Sequence, residues 1–524
     1  MQTRIENDVV SVARRDPARI AIEEGSRRVS FGQLDRLAGE WAATIRAAGI
    51  GPGDPVWLVL ANSTHFVIGV LAILKAQAVA VPVNPRLAAH ELNRLAAVSP
   101  PTAVLAPAVH SASTCPLPIK EREARVRLPV CESDVEMYLT TSRGSGMAVG
   151  SDKGEPGVVF FTSGSTGRPK AILLTHENIC SATRAAALAF GVDPEDRTLV
   201  CMQMCHSFTF TKQMLSHLRC GATLVLAPDF FDAMTVLDLI DRQDCTTLFA
   251  VPSMHIMLLE HIRRGRRTLP TLRMLVSGGA PIPESVQLGL ADALPHAEFV
   301  SSYGLSEASP FVSSLPGKRL RDKLGSVGWP AAGVEVLVLD KHGRSCLPRI
   351  IGEVCVQGRN VMAGYLSNPE ATAQALVDGT LHTGDMGWLD EDGCLYLCGR
   401  MDDMILRGAE NVYPVEIESV LASHEAVADA AVIGKPHPVL GNQIAAYVQP
   451  KPHVAVDVSA LRRLCRERLA AFKVPRSIHV VSDLPRTPNG KILRRALREL
   501  DVPPERTCPT KGSQTEESRQ CEPS

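Results

Sequence analysis

At 524 residues the chain exceeds the ~250–300 residues over which one hydrophobic core grows, so two or more domains are expected. With 45% hydrophobic and 21% charged residues it belongs with ordinary globular proteins rather than disordered or fibrous ones. A net charge of 55 − 56 = −1 gives no footprint for a nucleic-acid partner.

The N-terminus, MQTRIENDVV, lacks the apolar core of a signal peptide. Ser30-Phe31-Gly32-Gln33-Leu34 opens a helical pattern with Leu34, Leu37, Trp41 and Ile45 on one face, ending near Gly49. Val56–Ala61 and Ala78–Val83 read as buried strands with a helix, Phe66–Ala76, between them. That helix holds the most lipid-like run, Phe66–Leu74, but its nine residues are far short of the ~20 that span a bilayer. Strand–helix alternation argues for an α/β layered fold with a largely parallel sheet. From about Cys131 to Gly157 the chain turns polar and glycine-rich, and a loop is expected there.

Val158–Lys170, VVFFTSGSTGRPK, runs from a β-branched and aromatic strand into small, hydroxylated and glycine residues. Gly164 and Gly167 permit backbone conformations that let successive N–H groups face one concavity, and such nests bind anions. Ser163, Ser165, Thr166 and Lys170 add donors and a positive charge, so the loop reads as a polyphosphate cradle, with a plain polar hairpin as the alternative. It is not a Walker loop, which opens directly into a helix. Here Ala171–Leu174 reads as a second strand, and a helix follows with Thr175 as its N-cap.

Further α/β alternation fills residues 198–307, with strands at Thr198–Met202, Thr223–Leu226 and Thr246–Val251. Leu275–Ala280 ends in two glycines and an alanine, a pattern that lets a flat ring approach the backbone or simply makes a tight turn. Phe299–Glu307 ends a strand with a tyrosine, a glycine and a carboxylate close together. From Gly325 short β runs and turns mark a small β-rich subdomain ending near Arg400. Beyond it come a helix at Val415–Ser423, strands at Ala428–Ile433 and Ile444–Pro450, and a basic helix at Val458–Ala471. A turn with Lys491 then leads into a last helix, and a disordered tail over 502–524 closes the chain. The cysteines number fourteen with no Cys-x-x-Cys pair, and neither Cys201/Cys205/His206 nor Cys394/Cys398 has good zinc spacing. Reduced thiols in a cytoplasmic protein are therefore expected.

Five stretches stand in sequence: TSGSTGRPK (Thr162–Lys170), YGLSE (Tyr303–Glu307), HTGD (His382–Asp385), GRMDDMILRGAENVYP (Gly399–Pro414) and PRTPNGK (Pro485–Lys491). Together, over roughly residues 1–500, they resemble the successive signatures of the adenylate-forming superfamily: acyl-CoA synthetases, peptide-synthetase adenylation domains and firefly-type luciferases. The resemblance implies a large N-terminal α/β domain with its β-rich subdomain over 1–400 and a small mobile α+β domain over 401–501. It also implies that a carboxylic acid is joined to ATP as an acyl-adenylate, pyrophosphate leaves, and coenzyme A takes the acyl group. Catalysis of this kind is mostly positioning and charge neutralisation.

On that resemblance the Thr162–Lys170 loop (Thr162, Ser163, Gly164, Ser165, Thr166, Gly167 and Lys170) wraps the outer phosphates of ATP. Glu307 holds Mg2+, with Ser306, where the family usually has threonine, and Thr166 assisting. Tyr303, between Ser302 and Gly304, stacks on adenine opposite Gly278, Gly279 and Ala280. Asp385 accepts from the ribose hydroxyls, and Arg400 meets the ribose and phosphate side. A turn aspartate and a core tyrosine are the plainer readings of Asp385 and Tyr303. Lys491 bridges the acid and the α-phosphate. Asp402 is the hinge, and Gly408 and Ala409 stand where a Gly-Gly pair usually lines the pantetheine tunnel. The added methyl of Ala409 is expected to narrow the tunnel for the pantetheine arm, which bears on thioester formation and not on adenylation. His206 flanks the acyl pocket beside Ser207, Phe208, Met202, Met204 and Met214, which points to an uncharged, apolar acid, aliphatic or alicyclic. Transfer to a carrier-protein thiol or an amine is the alternative to coenzyme A; nucleotide binding without turnover is a more distant one.

Overall fold

The computed structural model describes residues 4–107, 122–128, 135–140, 154–163, 169–228, 231–407, 410–438, 440–451, 454–486 and 492–499. The chain divides into two compact units, Met1–Asp402 and Asp403–Ser524. The tail expected over 502–524 lies outside the described residues.

In the first unit, hydrophobic runs of four to six residues pair in parallel to form two large mixed sheets. One has nine strands, and six of them are parallel: Glu298–Tyr303, Met274–Gly278, Thr247–Ala250, Arg197–Val200, Thr223–Leu226 and Ile20–Glu24, in that spatial order. The other has eight, ordered Gly364–Tyr365, Pro169–Thr175, Pro156–Ser163, Val79–Pro82, Pro55–Leu58, Ala103–Pro107, Val135–Thr140 and Arg122–Arg127. The central strands are buried on both faces and so read as continuous apolar runs, as parallel strands do.

The lipid-like run lies in the helix Thr64–Lys75, where Phe66, Val67, Ile68, Val70, Leu71, Ile73 and Leu74 are all buried. A helix that is apolar all round belongs inside a protein layer, and this one packs against Phe31–Ala47 with its buried Trp41. No helix among the described residues is long and apolar enough to cross a membrane. Ser30 caps Phe31–Ala47 reciprocally with Gln33, and Thr175 caps His176–Ala189 in the same way with Asn178.

The β-rich part is an antiparallel sheet of five strands: Val334–Leu339, Gly352–Gly358, Thr380–Leu389, Leu376–Val377 and Leu395–Arg400. Two elements depart from the sequence expectation. Val135–Thr140, inside the stretch read as a loop, is a strand, because Val135, Met137 and Tyr138 bury themselves while pairing with Ala103–Pro107. The basic helix stops at Arg468, short of Ala471. The N-terminus also carries a helix, Ile5–Arg15, that buries Ile5, Val9 and Val12.

The second unit has its own core. Val427–His437 and Gly441–Pro450 form a long antiparallel pair, and Ser477–Val480 joins in parallel. Ile417 and Leu421 from Pro414–Ala422 and Leu461 and Cys465 from Val458–Arg468 pack on Val432, Ala446, Val448 and Ile478.

Candidate active site

Two neighbouring parallel strands end level with each other, Gly278 opposite Ser302. Chain ends on one side of a parallel sheet are where such folds hold ligands. The next residue, Tyr303, is buried, and its hydroxyl donates to Asp385 Oδ2 at 2.5 Å. Burial first, and then the Asp385 charge, push the Tyr303 phenol well above its ordinary pKa, so it is a fixed donor at neutral pH.

Asp385 reaches that position through an irregularity in the small sheet. Glu353 pairs with Met386 and Cys355 with His382, so Thr383, Gly384 and Asp385 bulge out opposite Val354 alone. Gly384 has φ +69°, and a Cβ there would also come within 3.1 Å of the Arg400 guanidinium. The Thr383 hydroxyl donates to the Val354 carbonyl at 2.6 Å and accepts from the Asp385 N–H at 3.0 Å. Glu353 braces the bulge from below: one oxygen accepts the Gly384 N–H at 3.1 Å and the other lies 2.8 Å from His382 Nδ1. Arg400, opposite Asp385 on the next strand, stands 3.6 Å from Asp385 Oδ1 and donates to the Thr383 carbonyl. The result is a carboxylate with one oxygen bound by a phenol and the other beside a guanidinium.

Glu353, Cys355 and His382 are also a group, among the described residues, whose possible metal-ligand atoms lie within 4.8 Å of one another. Burial pushes the Cys355 thiol up to about 12, so it stays protonated at neutral pH, with its sulfur 3.6 Å from His382 Nδ1. The cluster is a hydrogen-bonded brace.

On the other side, the hairpin pairs Thr162 with Lys170 and Ser163 with Pro169. The Lys170 ammonium sits 4.6 Å over the ring of Tyr365, whose short strand pairs with Ile172 of the hairpin. The Tyr365 hydroxyl donates to Glu307 Oε1 at 3.0 Å, and burial followed by the Glu307 charge push that phenol above its usual range. One chain of contacts therefore joins Lys170 to Glu307. Ser306, one residue before, has its hydroxyl 2.7 Å from that of Ser207. Gly304 follows Tyr303 in the intervening turn, and Gly279 and Ala280 continue the chain beyond Gly278.

Gly164, Ser165, Thr166, Gly167, Gly408, Ala409 and Lys491 lie outside the described residues, as does the side chain of Ser163. Asp402 lies in a short 3-10 turn, Met401–Asp403, and the division into two units falls directly after it.

His206 stands in the turn before an unusual element, a π-helix over Phe208–Leu215. Such wide turns are rare and gather at functional sites. Phe208 lies across Gly278, where a Cβ would come within 2.6 Å of the ring. One turn on is a residue that sequence reading passed over. Lys212 is only 1% exposed, and its ammonium donates to the Ser302 hydroxyl at 2.7 Å. The rings of Phe208 and Phe311 flank it at 4.9 and 5.1 Å. Burial alone draws its pKa down to about 7. The signal available in the sequence was a single lysine in CHSFTFTKQML, with no acidic residue in that stretch.

The chain matches the AMP-binding enzyme family over residues 9–366 and the AMP-binding enzyme C-terminal domain over residues 416–491. It is 34% identical to a feruloyl-CoA synthase of an Amycolatopsis species over 486 residues, 93% of this chain and 96% of that one. Among solved structures it resembles the o-succinylbenzoate CoA synthetase of Bacillus subtilis bound to its acyl-adenylate intermediate. The TM-score is 0.80 at 29% identity, covering 94% of this chain and 98% of that one. The same enzyme bound to ATP and a magnesium ion gives a TM-score of 0.78 at 29% identity, covering 94% and 99%. An amide bond synthetase of Marinactinospora thermotolerans is similar too, with a TM-score of 0.82, 28% identity and coverage of 94% and 99%.

Proposed function

The chain belongs to the AMP-binding enzyme family, and from that premise we propose that it joins a carboxylic acid to ATP and passes the acyl group to coenzyme A. A carboxylate oxygen bonds to the α-phosphorus while the bond to the β-phosphate breaks, and pyrophosphate leaves. The thiol of coenzyme A then bonds to the acyl carbon, its proton goes to solvent and AMP leaves. The observation that carries this reading is the bulge that sets Asp385 against the Tyr303 hydroxyl and Arg400 at the strand ends.

Tyr303 and Arg400 hold the Asp385 carboxylate in place, and a carboxylate so placed is suited to accept from the ribose hydroxyls. The Tyr303 ring faces adenine, Gly278, Gly279 and Ala280 line the other side with Ser302 and Gly304 adjoining, and Arg400 meets the ribose and phosphate. The loop from Thr162 to Lys170 takes the β- and γ-phosphates as the leaving pyrophosphate. Glu307 and Ser306 offer a carboxylate and a hydroxyl oxygen, donors that suit Mg2+, with Thr166 the loop's contribution. The cation neutralises phosphate charge when bound; Tyr365 keeps Glu307 oriented for it through one oxygen. Lys491 stabilises the charge that develops between acid and α-phosphate. His206 borders the acyl pocket. Asp402 is the hinge, a reading supported by the division of the chain after it. Because ATP and coenzyme A are drawn from the cytoplasmic pool, we place the protein there.

Ala409 in the tunnel position favours one second reading, transfer of the adenylate to a carrier-protein thiol or an amine. Both readings are tested by a panel of carboxylic acids scored for pyrophosphate release with and without coenzyme A. Acid-dependent release with an acyl-CoA product is expected, and Lys491→Ala is expected to abolish it. Release independent of every acid, or unchanged in that variant, sinks the activation reading. Acid-dependent release without a thioester promotes the second acceptor.

A further inference from the structure

A buried ammonium without a carboxylate is expensive, because the charge has lost its water and gained little in return. Among the described residues Lys212 has no ion pair; its polar partner is the Ser302 hydroxyl, which in turn donates to the Ser313 carbonyl. The rest of its surroundings are the rings of Phe208 and Phe311. Its position is not random. Ser302 and Gly278 are the level strand ends beside Tyr303, Phe208 covers Gly278, and His206 precedes the π-helix that carries the lysine. The π-helix widens the turn just where Phe208 and Lys212 face the strand ends.

We propose that Lys212 selects the acid: the substrate carries, away from the carboxyl group that is activated, a second oxygen acceptor, a carboxylate or a phenolic oxygen, which pairs with this ammonium. The proposal rests on the activation reading and replaces the sequence expectation of an uncharged, apolar acid. Substrate binding supplies the counter-group that the protein leaves out. A hydrogen bond to a charged group gives about 10- to 100-fold in selectivity.

The test uses matched pairs in the full-length enzyme: adipate against hexanoate, and 4-hydroxycinnamate against cinnamate, scored by acid-dependent pyrophosphate release. The first pair reports a carboxylate acceptor and the second a phenolic one. The expected result is a preference of about tenfold or more in kcat/KM for the acceptor-bearing member of at least one pair. In Lys212→Met that ratio collapses toward one, chiefly through KM. Lys212→Gln keeps a donor for the Ser302 hydroxyl without the charge, and it is read in the same way if the methionine variant does not fold. A preference for the plain acid in both pairs overturns the proposal, as does a ratio that neither variant changes or activation confined to acids without a second acceptor. Pyrophosphate release that no acid stimulates is a separate result: it overturns the activation reading, and this inference with it.

Discussion

Tyr303 holds one oxygen of the Asp385 carboxylate at 2.5 Å, and Arg400 stands 3.6 Å from the other. Asp385→Ala removes a charged acceptor and strands a buried phenol, so KM for ATP is expected to rise about 10- to 100-fold in steady-state kinetics. Such residues were legible in the sequence because a short contiguous motif carries each of them. Lys212 was not, because one lysine among apolar residues reads as the exposed point of an amphipathic helix; only the packing reveals that it is buried. Its burial has a pH signature. The folded protein releases the Lys212 proton at about 7, the unfolded chain at about 10.5. Between those values the unfolded chain binds more protons, so stability rises with pH through the window and is lowest below it. Lys212→Met is therefore expected to melt above the wild type at pH 6, with the gap narrowing by pH 9, in thermal unfolding followed by fluorescence.

The bulge over Thr383–Asp385 makes a functional group out of an otherwise regular strand. Glu353 holds it by the Gly384 N–H and stands against His382. If Glu353 acts only by aiming Asp385, its loss matters little once Asp385 is gone. A double-mutant cycle of Glu353→Ala and Asp385→Ala, read as KM for ATP, is expected to fall short of additivity by about 0.5 kcal/mol or more. The strands themselves were foreseeable from apolar runs, and the cap at Thr175 from one hydroxyl before a helical pattern. The register slip was not, since it depends on how two strands distant in sequence pair. The strand Val135–Thr140 escaped notice for a similar reason: its polar and glycine-rich flanks masked a pairing that long-range contacts decide. The π-helix carries no periodic signal that separates it from an ordinary helix.

At the scale of the molecule, length asked for more than one domain and the family resemblance implied a boundary at 400/401; the compact units are Met1–Asp402 and Asp403–Ser524. If Asp402 is the hinge, fixing its φ with proline hinders only the step that needs the chain to turn there. Asp402→Pro is expected to keep acid-dependent pyrophosphate release within about threefold while losing at least 90% of the acyl-CoA product, roughly a tenfold effect. Equal loss of both counts against the hinge. The division also has a genetic consequence. His206 and Lys212, proposed to face the acid, are encoded before the junction; Ala409 and Lys491, proposed to bear on the acceptor and the bond-making step, are encoded after it. On those proposed roles, a crossover at that one codon boundary would let a descendant inherit the choice of acid from one parent and the choice of acceptor from another, with both hydrophobic cores passed on whole.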